Sequence, residues 1–192
     1  MMVLAGVLVF GTPAGVLAEE ADHSMEGQIS KPQSSGESDT EGFVDDSTDN
    51  TYGYYTIMGC TTVDVEDMVA QYEAQNVEYP SDVLTEGGAP DIDSFCTIVI
   101  EDAEGVRGEV VYEQSMLETG WLQFGGDASA GQFNFSGLGT TGGGVAGNSF
   151  PDVRTGIRAQ VQHLKAYASS EELTQACVDN RFQYVSRESA PY

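Results

Sequence analysis

Apolar side chains recur at helical spacing in four segments of this chain, and this pattern is the strongest constraint on its fold. The clearest segment covers residues 151–169, with the apolar residues Val153, Ile157, Val161, Leu164 and Ala168 on one face. Pro151 and Asp152 stand at its start, where a proline and a capping carboxylate are favoured. The spacing therefore predicts a mainly helical domain.

Two further helices are predicted earlier in the chain. One begins after Thr62 or Asp64 as N-cap and has a stripe made of Val65, Met68, Val69 and Tyr72. The other begins after Asp91, and its apolar face carries Ile92, Phe95, Cys96, Val99, Ile100 and Ala103. A last short helix is expected over residues 170–176.

A fourth helix is expected within the stretch from 104 to 126, and it ends at a carboxyl group. Its expected buried stripe is Val106, Val110 and Leu117. Glu118 follows this stripe and precedes Trp121, the only tryptophan of the chain. A carboxyl group beside a large ring at the end of a buried helix is poorly hydrated, so its pKa rises and it can donate a proton near neutral pH. By composition alone, a solvated glutamate at a helix end is the commoner case.

Four motifs follow one another from this glutamate onward: residues 116–121 (MLETGW), residues 133–139 (FNFSGLG), Phe150, and residues 180–182 (NRF). Their order and spacing resemble the bacterial glucosaminidase (endo-β-N-acetylglucosaminidase) domain of peptidoglycan hydrolases, over roughly residues 51–192. In that family a Leu-Glu-(Ser/Thr)-Gly segment carries the catalytic glutamate. An Asn-x-x-Gly segment lies in a small lobe, and an Arg-(Tyr/Phe) pair lies near the end.

The resemblance implies a mainly α (α+β) fold, in which a lysozyme-like helical domain carries a small Gly-rich β-hairpin lobe. It implies that Glu118 is the general acid and that Trp121, Phe150 and Phe182 shape the cleft. Asn134 would contact the sugar or the backbone of the small lobe. Phe182 departs from the commoner tyrosine, so a role that needs the hydroxyl is in doubt.

A second catalytic carboxylate cannot come from the same helix. Glu109 and Glu113 lie about 180° and about 140° round the helix from Glu118. Asp127 and Asp152 flank the Gly-rich lobe, and Asp152 is expected to cap the helix that follows it. Asp127 is therefore the preferred second carboxylate, while a neighbouring amide or the N-acetyl group of the substrate remains an alternative.

The implied function is that of an exported peptidoglycan hydrolase that cleaves the β-1,4 bond on the reducing side of N-acetylglucosamine. Its partner is the glycan strand, and no metal or cofactor is expected. His163 is expected to be structural, because no metal-ligand spacing accompanies it. The alternatives left open are a lytic transglycosylase and a catalytically weak cell-wall-binding module.

The first 50 residues have a different composition. Residues 1–18 are uncharged and apolar and end in Val-Leu-Ala, which predicts a signal peptide-like segment. The product would then be secreted or associated with the cell wall, with no stable membrane insertion after processing. Residues 19–50 are acidic and poor in large apolar side chains, so a disordered linker is expected before the catalytic domain at 51–192.

The charge of the chain bears on its partners. Its 31 acidic and seven basic residues give a net charge of −24. Without the ten acidic residues and Lys31 of the linker, the remainder still carries −15. Phosphate backbones repel such a domain, so nucleic acid is not an expected partner.

The three cysteines lack metal-binding and redox spacing. Because Cys96 and Cys177 are both expected on apolar helical faces, a disulfide between them is predicted for an exported protein.

Overall fold

The computed structural model describes residues 55–192, so the signal peptide-like segment and the acidic linker lie outside the described residues. The described part contains five α-helices: α1 Val65–Glu73, α2 Ser81–Leu84, α3 Ile92–Glu101, α4 Gly108–Thr119 and α5 Val153–Ala168. Two 3-10 helices cover Ala130–Gln132 and Phe182–Tyr184. Within residues 55–192, β structure is limited to two isolated bridges, Met58–Val106 and Gly142–Val145. The prediction of a mainly helical fold is confirmed.

Aspartate side chains start three of the helices. Asp64, Asp91 and Asp152 cap α1, α3 and α5, and each accepts a hydrogen bond from the backbone N–H three residues later, at 2.9, 2.8 and 2.7 Å. Each bond satisfies an N–H group that has no partner inside its helix. These three predicted helix starts are confirmed.

Helix α3 packs against α1, α4 and α5, and the hydrophobic core forms around it. The largest fully buried side chains of this core include Phe95, Tyr112, Met116, Phe135 and Ile157. The rings of Phe95 and Phe135 meet edge to face with their centroids 5.0 Å apart, a favoured geometry for aromatic pairs. The core thus extends from the helices into the loop that precedes α5.

The buried face of α4 differs from the expected stripe. Leu117 is 65% exposed, and Val106 is buried but precedes the helix. The buried face consists of Gly108, Val111, Tyr112, Ser115, Met116 and Thr119. Ser115 and Thr119 tolerate burial because their hydroxyls donate to the carbonyls four residues earlier, at 2.8 and 2.6 Å. The predicted stripe was therefore wrong at Leu117, because the buried face at the end of α4 carries Met116 and the two hydroxyl residues Ser115 and Thr119 instead.

Residues 170–176 do not form the predicted helix. The segment is held instead by side chains of other elements. Gln162 of α5 donates from Nε2 to the carbonyl of Ala176 at 3.0 Å, and the backbone N–H of Thr174 donates to Glu104 at 3.0 Å. These bonds satisfy the backbone without helix formation.

The predicted disulfide between Cys96 and Cys177 is absent, because both thiols are free. Cys96 is fully buried in α3, whereas Cys177 is exposed in the irregular segment after α5. The prediction was wrong because Cys177 does not lie on a helical face. No helix among residues 55–192 is long and apolar enough to cross a membrane.

Candidate functional site

Glu118 lies in the last turn of α4, and its carboxyl group faces the loop between residues 133 and 148. Its Oε2 atom lies 3.9 Å from the point where a β-carbon on Gly137 would stand. The residue is exposed, yet desolvation by the surrounding protein raises the pKa of its carboxyl group above the ordinary value. This is the direction expected from the sequence. The site therefore holds an accessible carboxyl group that retains its proton to higher pH than a free glutamic acid does.

The backbone immediately after Glu118 is strained. The left-handed residues of this turn are Gly120, Trp121, Leu122 and Phe124, with φ between 51° and 60°. Only glycine adopts this conformation without cost, and strained residues of this kind cluster at functional sites. Thr119 ties the turn to the helix: its Oγ1 donates to the Ser115 carbonyl at 2.6 Å and accepts from the Leu122 N–H at 2.8 Å.

Trp121 points toward α1. Its ring is tilted against Tyr72, with the centroids 6.3 Å apart, and it packs against the edge of the core. Phe150 is also half-buried against the core, and its N–H donates to the carbonyl of Gln132 at 2.8 Å. The described contacts of these two predicted cleft residues are thus with the core.

Asn134 organises the loop opposite Glu118. It is 2% exposed, and its amide nitrogen donates to the carbonyls of Leu138 and Asn148 at 3.0 and 3.1 Å. Its Oδ1 accepts from the Leu138 N–H at 2.9 Å. Asn134 thus makes the expected contact with the backbone of this loop. Its bonds fix the turn that places Gly137 in front of Glu118.

Asp127 is exposed, and its Oδ2 accepts from the Gly144 N–H at 3.3 Å. The bond connects it to the glycine-rich tip of the loop. The raised pKa of Glu118 has desolvation as its cause, so a second carboxylate is not what shifts it. The remainder of residues 133–148 consists of turns and the single bridge between Gly142 and Val145.

The C-terminal segment reaches the same loop. Asn180 accepts at Oδ1 from the Asn148 side-chain amide at 2.8 Å. Phe182 begins the second 3-10 helix, where the Arg187 guanidinium lies 4.7 Å from its ring centroid. The Asn148–Asn180 pair was not predicted, because sequence spacing does not reveal a bond between residues 32 positions apart.

His163 is buried, and its Nδ1 lies 2.7 Å from Oδ2 of the fully buried Asp179 side chain. This arrangement anchors the C-terminal segment to α5, in line with the structural role expected for His163. Within residues 55–192, no group of three or more His, Cys, Asp or Glu side chains could hold a metal ion.

A depression of about 710 Å³ lies beside α3 and the start of α5, and Glu118 is not among the residues that line it. Its acidic lining residues are Glu86, Asp91, Asp93, Glu101 and Asp152. Asp91 and Asp152 are helix caps and Glu101 pairs with Arg154 at 2.7 Å, so these three acids already have structural roles.

No protein-family model matches this chain, and no solved structure matches it. The chain is similar to a protein of Borreliella burgdorferi described as an uncharacterized protein, with 49% identity over 88 residues. The match covers 46% of this chain and 43% of that protein. The chain thus spans less than half the length of this relative.

Proposed function

We propose that this chain is an exported peptidoglycan hydrolase with a lysozyme-like fold, which cleaves the β-1,4 bond on the reducing side of N-acetylglucosamine. The observation that carries the proposal is the Glu118 carboxyl group, whose pKa is raised by desolvation and which faces the loop at Gly137. The order of the four motifs along the sequence adds support.

In this reaction Glu118 donates its proton to the glycosidic oxygen as the bond to the anomeric carbon breaks. The raised pKa increases the protonated fraction of Glu118 at the pH where the enzyme works. Because Gly137 has no side chain, no β-carbon of the loop contacts the Glu118 carboxyl group at this point. The leaving strand takes the proton, and Glu118 is reprotonated from solvent.

The group that attacks the anomeric carbon is the second question. Asp127 bonds to the tip of the loop, and desolvation is the cause of the Glu118 pKa shift. Asp127 is one candidate for a second carboxyl group, and the N-acetyl oxygen of the substrate is an alternative attacking group. A third route is lytic transglycosylation, in which a hydroxyl of the sugar displaces the leaving group. Mass spectrometry separates the two, because transglycosylation leaves anhydro-sugar ends and hydrolysis leaves reducing ends.

The test of the proposal compares Glu118→Gln with wild type on purified peptidoglycan. Loss of a general acid is expected to lower the cleavage rate by about 10²- to 10⁴-fold. Glu113→Gln is the matched control, since Glu113 lies on the same helix and its carboxylate binds Gln71 at 2.9 Å. This control should keep nearly full activity. If wild type binds the walls but leaves them intact, the chain is a wall-binding module instead.

A further inference from the structure

Almost all basic side chains of this acidic domain make hydrogen bonds or ion pairs within the domain. Residues 55–192 contain six of them. Five have partners within the domain: Arg107, Arg154, Arg158, Lys165 and Arg187. Arg181 is exposed, and its guanidinium has no hydrogen-bond or ion-pair partner among the described residues. Among residues 55–192, Arg181 is thus the one basic side chain with neither a hydrogen-bond nor an ion-pair partner among the described residues.

The backbone that carries Arg181 is held firmly in place. The Arg181 N–H donates to Oδ1 of Asp179 at 2.8 Å, and Asp179 is anchored by His163 at 2.7 Å. Gln162 binds the same segment, because its Oε1 accepts from the Val178 N–H at 2.8 Å. The backbone at Arg181 is therefore anchored to α5 through Gln162 and through the buried contact between His163 and Asp179.

This segment lies against the loop of the proposed site. Asn180 binds Asn148 at 2.8 Å, and the Asn148 N–H donates to the carbonyl of Leu138 at 2.8 Å. Leu138 follows Gly137, which faces Glu118. A chain of direct contacts thus connects the residue next to Arg181 with the residue opposite the proposed general acid.

We propose that Arg181 binds a carboxylate of the peptide stem on the glycan strand, which rests on the proposed function of the Glu118 site. A net charge of −15 on residues 51–192 repels an anionic polymer. An arginine fork offers two parallel hydrogen bonds to a carboxylate and so provides local attraction with defined geometry. Arg181 accordingly selects strands that carry peptide stems over bare or neutral glycans.

The test uses native peptidoglycan and the same material with its carboxyl groups capped as methylamides. Arg181→Gln is expected to lower kcat/KM on native peptidoglycan about two- to fivefold, as for an exposed ion pair. The same substitution should have no effect on capped peptidoglycan. High salt should reduce the effect on native material, because exposed charges are screened.

Gln183→Glu is the control for net charge, since Gln183 is exposed two residues away and the substitution also changes the charge by one negative unit. It should not reproduce the loss. Equal losses on native and capped material, or an equal loss from Gln183→Glu, would overturn the role of Arg181.

A binding assay separates this inference from the proposed function. Cosedimentation with native and capped sacculi, performed in the Glu118→Gln background, should show weaker binding of the Arg181→Gln variant to native sacculi only. If Glu118→Gln cleaves as well as wild type, the proposed function fails while the binding difference remains readable. If Glu118→Gln is inactive and Arg181→Gln binds both materials as its parent does, the inference alone fails.

Discussion

At the scale of single residues, Thr119 connects the proposed general acid with the strained turn behind it. Thr119 is 5% exposed, and its hydroxyl makes two hydrogen bonds inside the protein, to the Ser115 carbonyl and from the Leu122 N–H. The hydroxyl is therefore unavailable to a substrate. Thr119 is a positioning residue that fixes the end of α4 and, with it, the direction of the Glu118 side chain.

Replacement of Thr119 by valine should lower kcat while leaving KM nearly unchanged. Valine keeps the shape of threonine but leaves the Leu122 N–H without its acceptor, which costs about 1–3 kcal/mol of stability. Thr119→Ser keeps the hydroxyl and should restore most of the rate. The measurements are steady-state kinetics and thermal unfolding, and an equal loss of kcat in the serine and valine variants would contradict the positioning role.

At the scale of elements, a buried carboxylate directly after α3 forms ion pairs with two arginines of α5. Asp102 is 2% exposed and binds the guanidinium groups of Arg154 and Arg158, each at 2.8 Å. Gln175 donates to the same carboxylate at 3.2 Å. One carboxylate therefore holds α5 and the segment after it against the end of α3.

Replacement of Asp102 by asparagine should cost about 2–4 kcal/mol of unfolding free energy, because it leaves Arg158 without its carboxylate. Glu101→Gln is the matched control: Glu101 binds Arg154 at 2.7 Å, but its side chain is 54% exposed. An exposed pair contributes less than about 1 kcal/mol. Chemical denaturation measures both, and a loss for Asp102→Asn no larger than that of the control would refute the role of burial.

Helix α5 approaches the loop closely at Gly156. A β-carbon on Gly156 would stand 1.8 Å from the carbonyl oxygen of Phe133, so neither can stay in place. Gly156→Ala should therefore destabilise the fold by about 3 kcal/mol. Gly131→Ala is the control, because a β-carbon there would meet Val83 at an ordinary 3.9 Å. Unfolding midpoints of the two variants test this prediction. Similar midpoints would show that the loop moves away from the new β-carbon without loss of stability.

The sequence predicted the elements whose signals are local. The capping aspartates located the starts of α1, α3 and α5, because a cap and its N–H partner are only three residues apart. The segment 170–176 was predicted wrongly because its backbone is satisfied by distant side chains such as Gln162. Likewise, motif order indicated Glu118, but only the structure places Gly137 before it and Asn180 beside Asn148.

At the scale of the whole molecule, the net negative charge lowers the stability of the folded domain. Residues 51–192 carry a net charge of −15, and much of it lies on exposed acids. Mutual repulsion of like charges destabilises a folded domain, and salt screens it. The buried pairs of Asp102 and of Lys165 with Glu104 are screened much less.

The melting temperature of the domain should therefore rise when ionic strength increases from about 0.01 M to about 0.15 M, where the screening length falls from roughly 30 to roughly 8 Å. Calorimetry or circular dichroism at constant pH measures this shift. A melting temperature that falls with salt would mean that surface ion pairs, rather than repulsion, dominate.

The pH dependence of peptidoglycan cleavage tests the central claim most directly, because kcat/KM reports the pKa of the free enzyme's essential acid. The raised pKa of Glu118 predicts that kcat/KM holds at low pH and falls as the pH rises through a midpoint above 4.5, the ordinary value for glutamic acid. Glu118→Gln should abolish the activity and, with it, this fall of kcat/KM with rising pH. A midpoint at or below 4.5, or an unchanged profile in Glu118→Gln, would contradict the assignment of Glu118 as the proton donor.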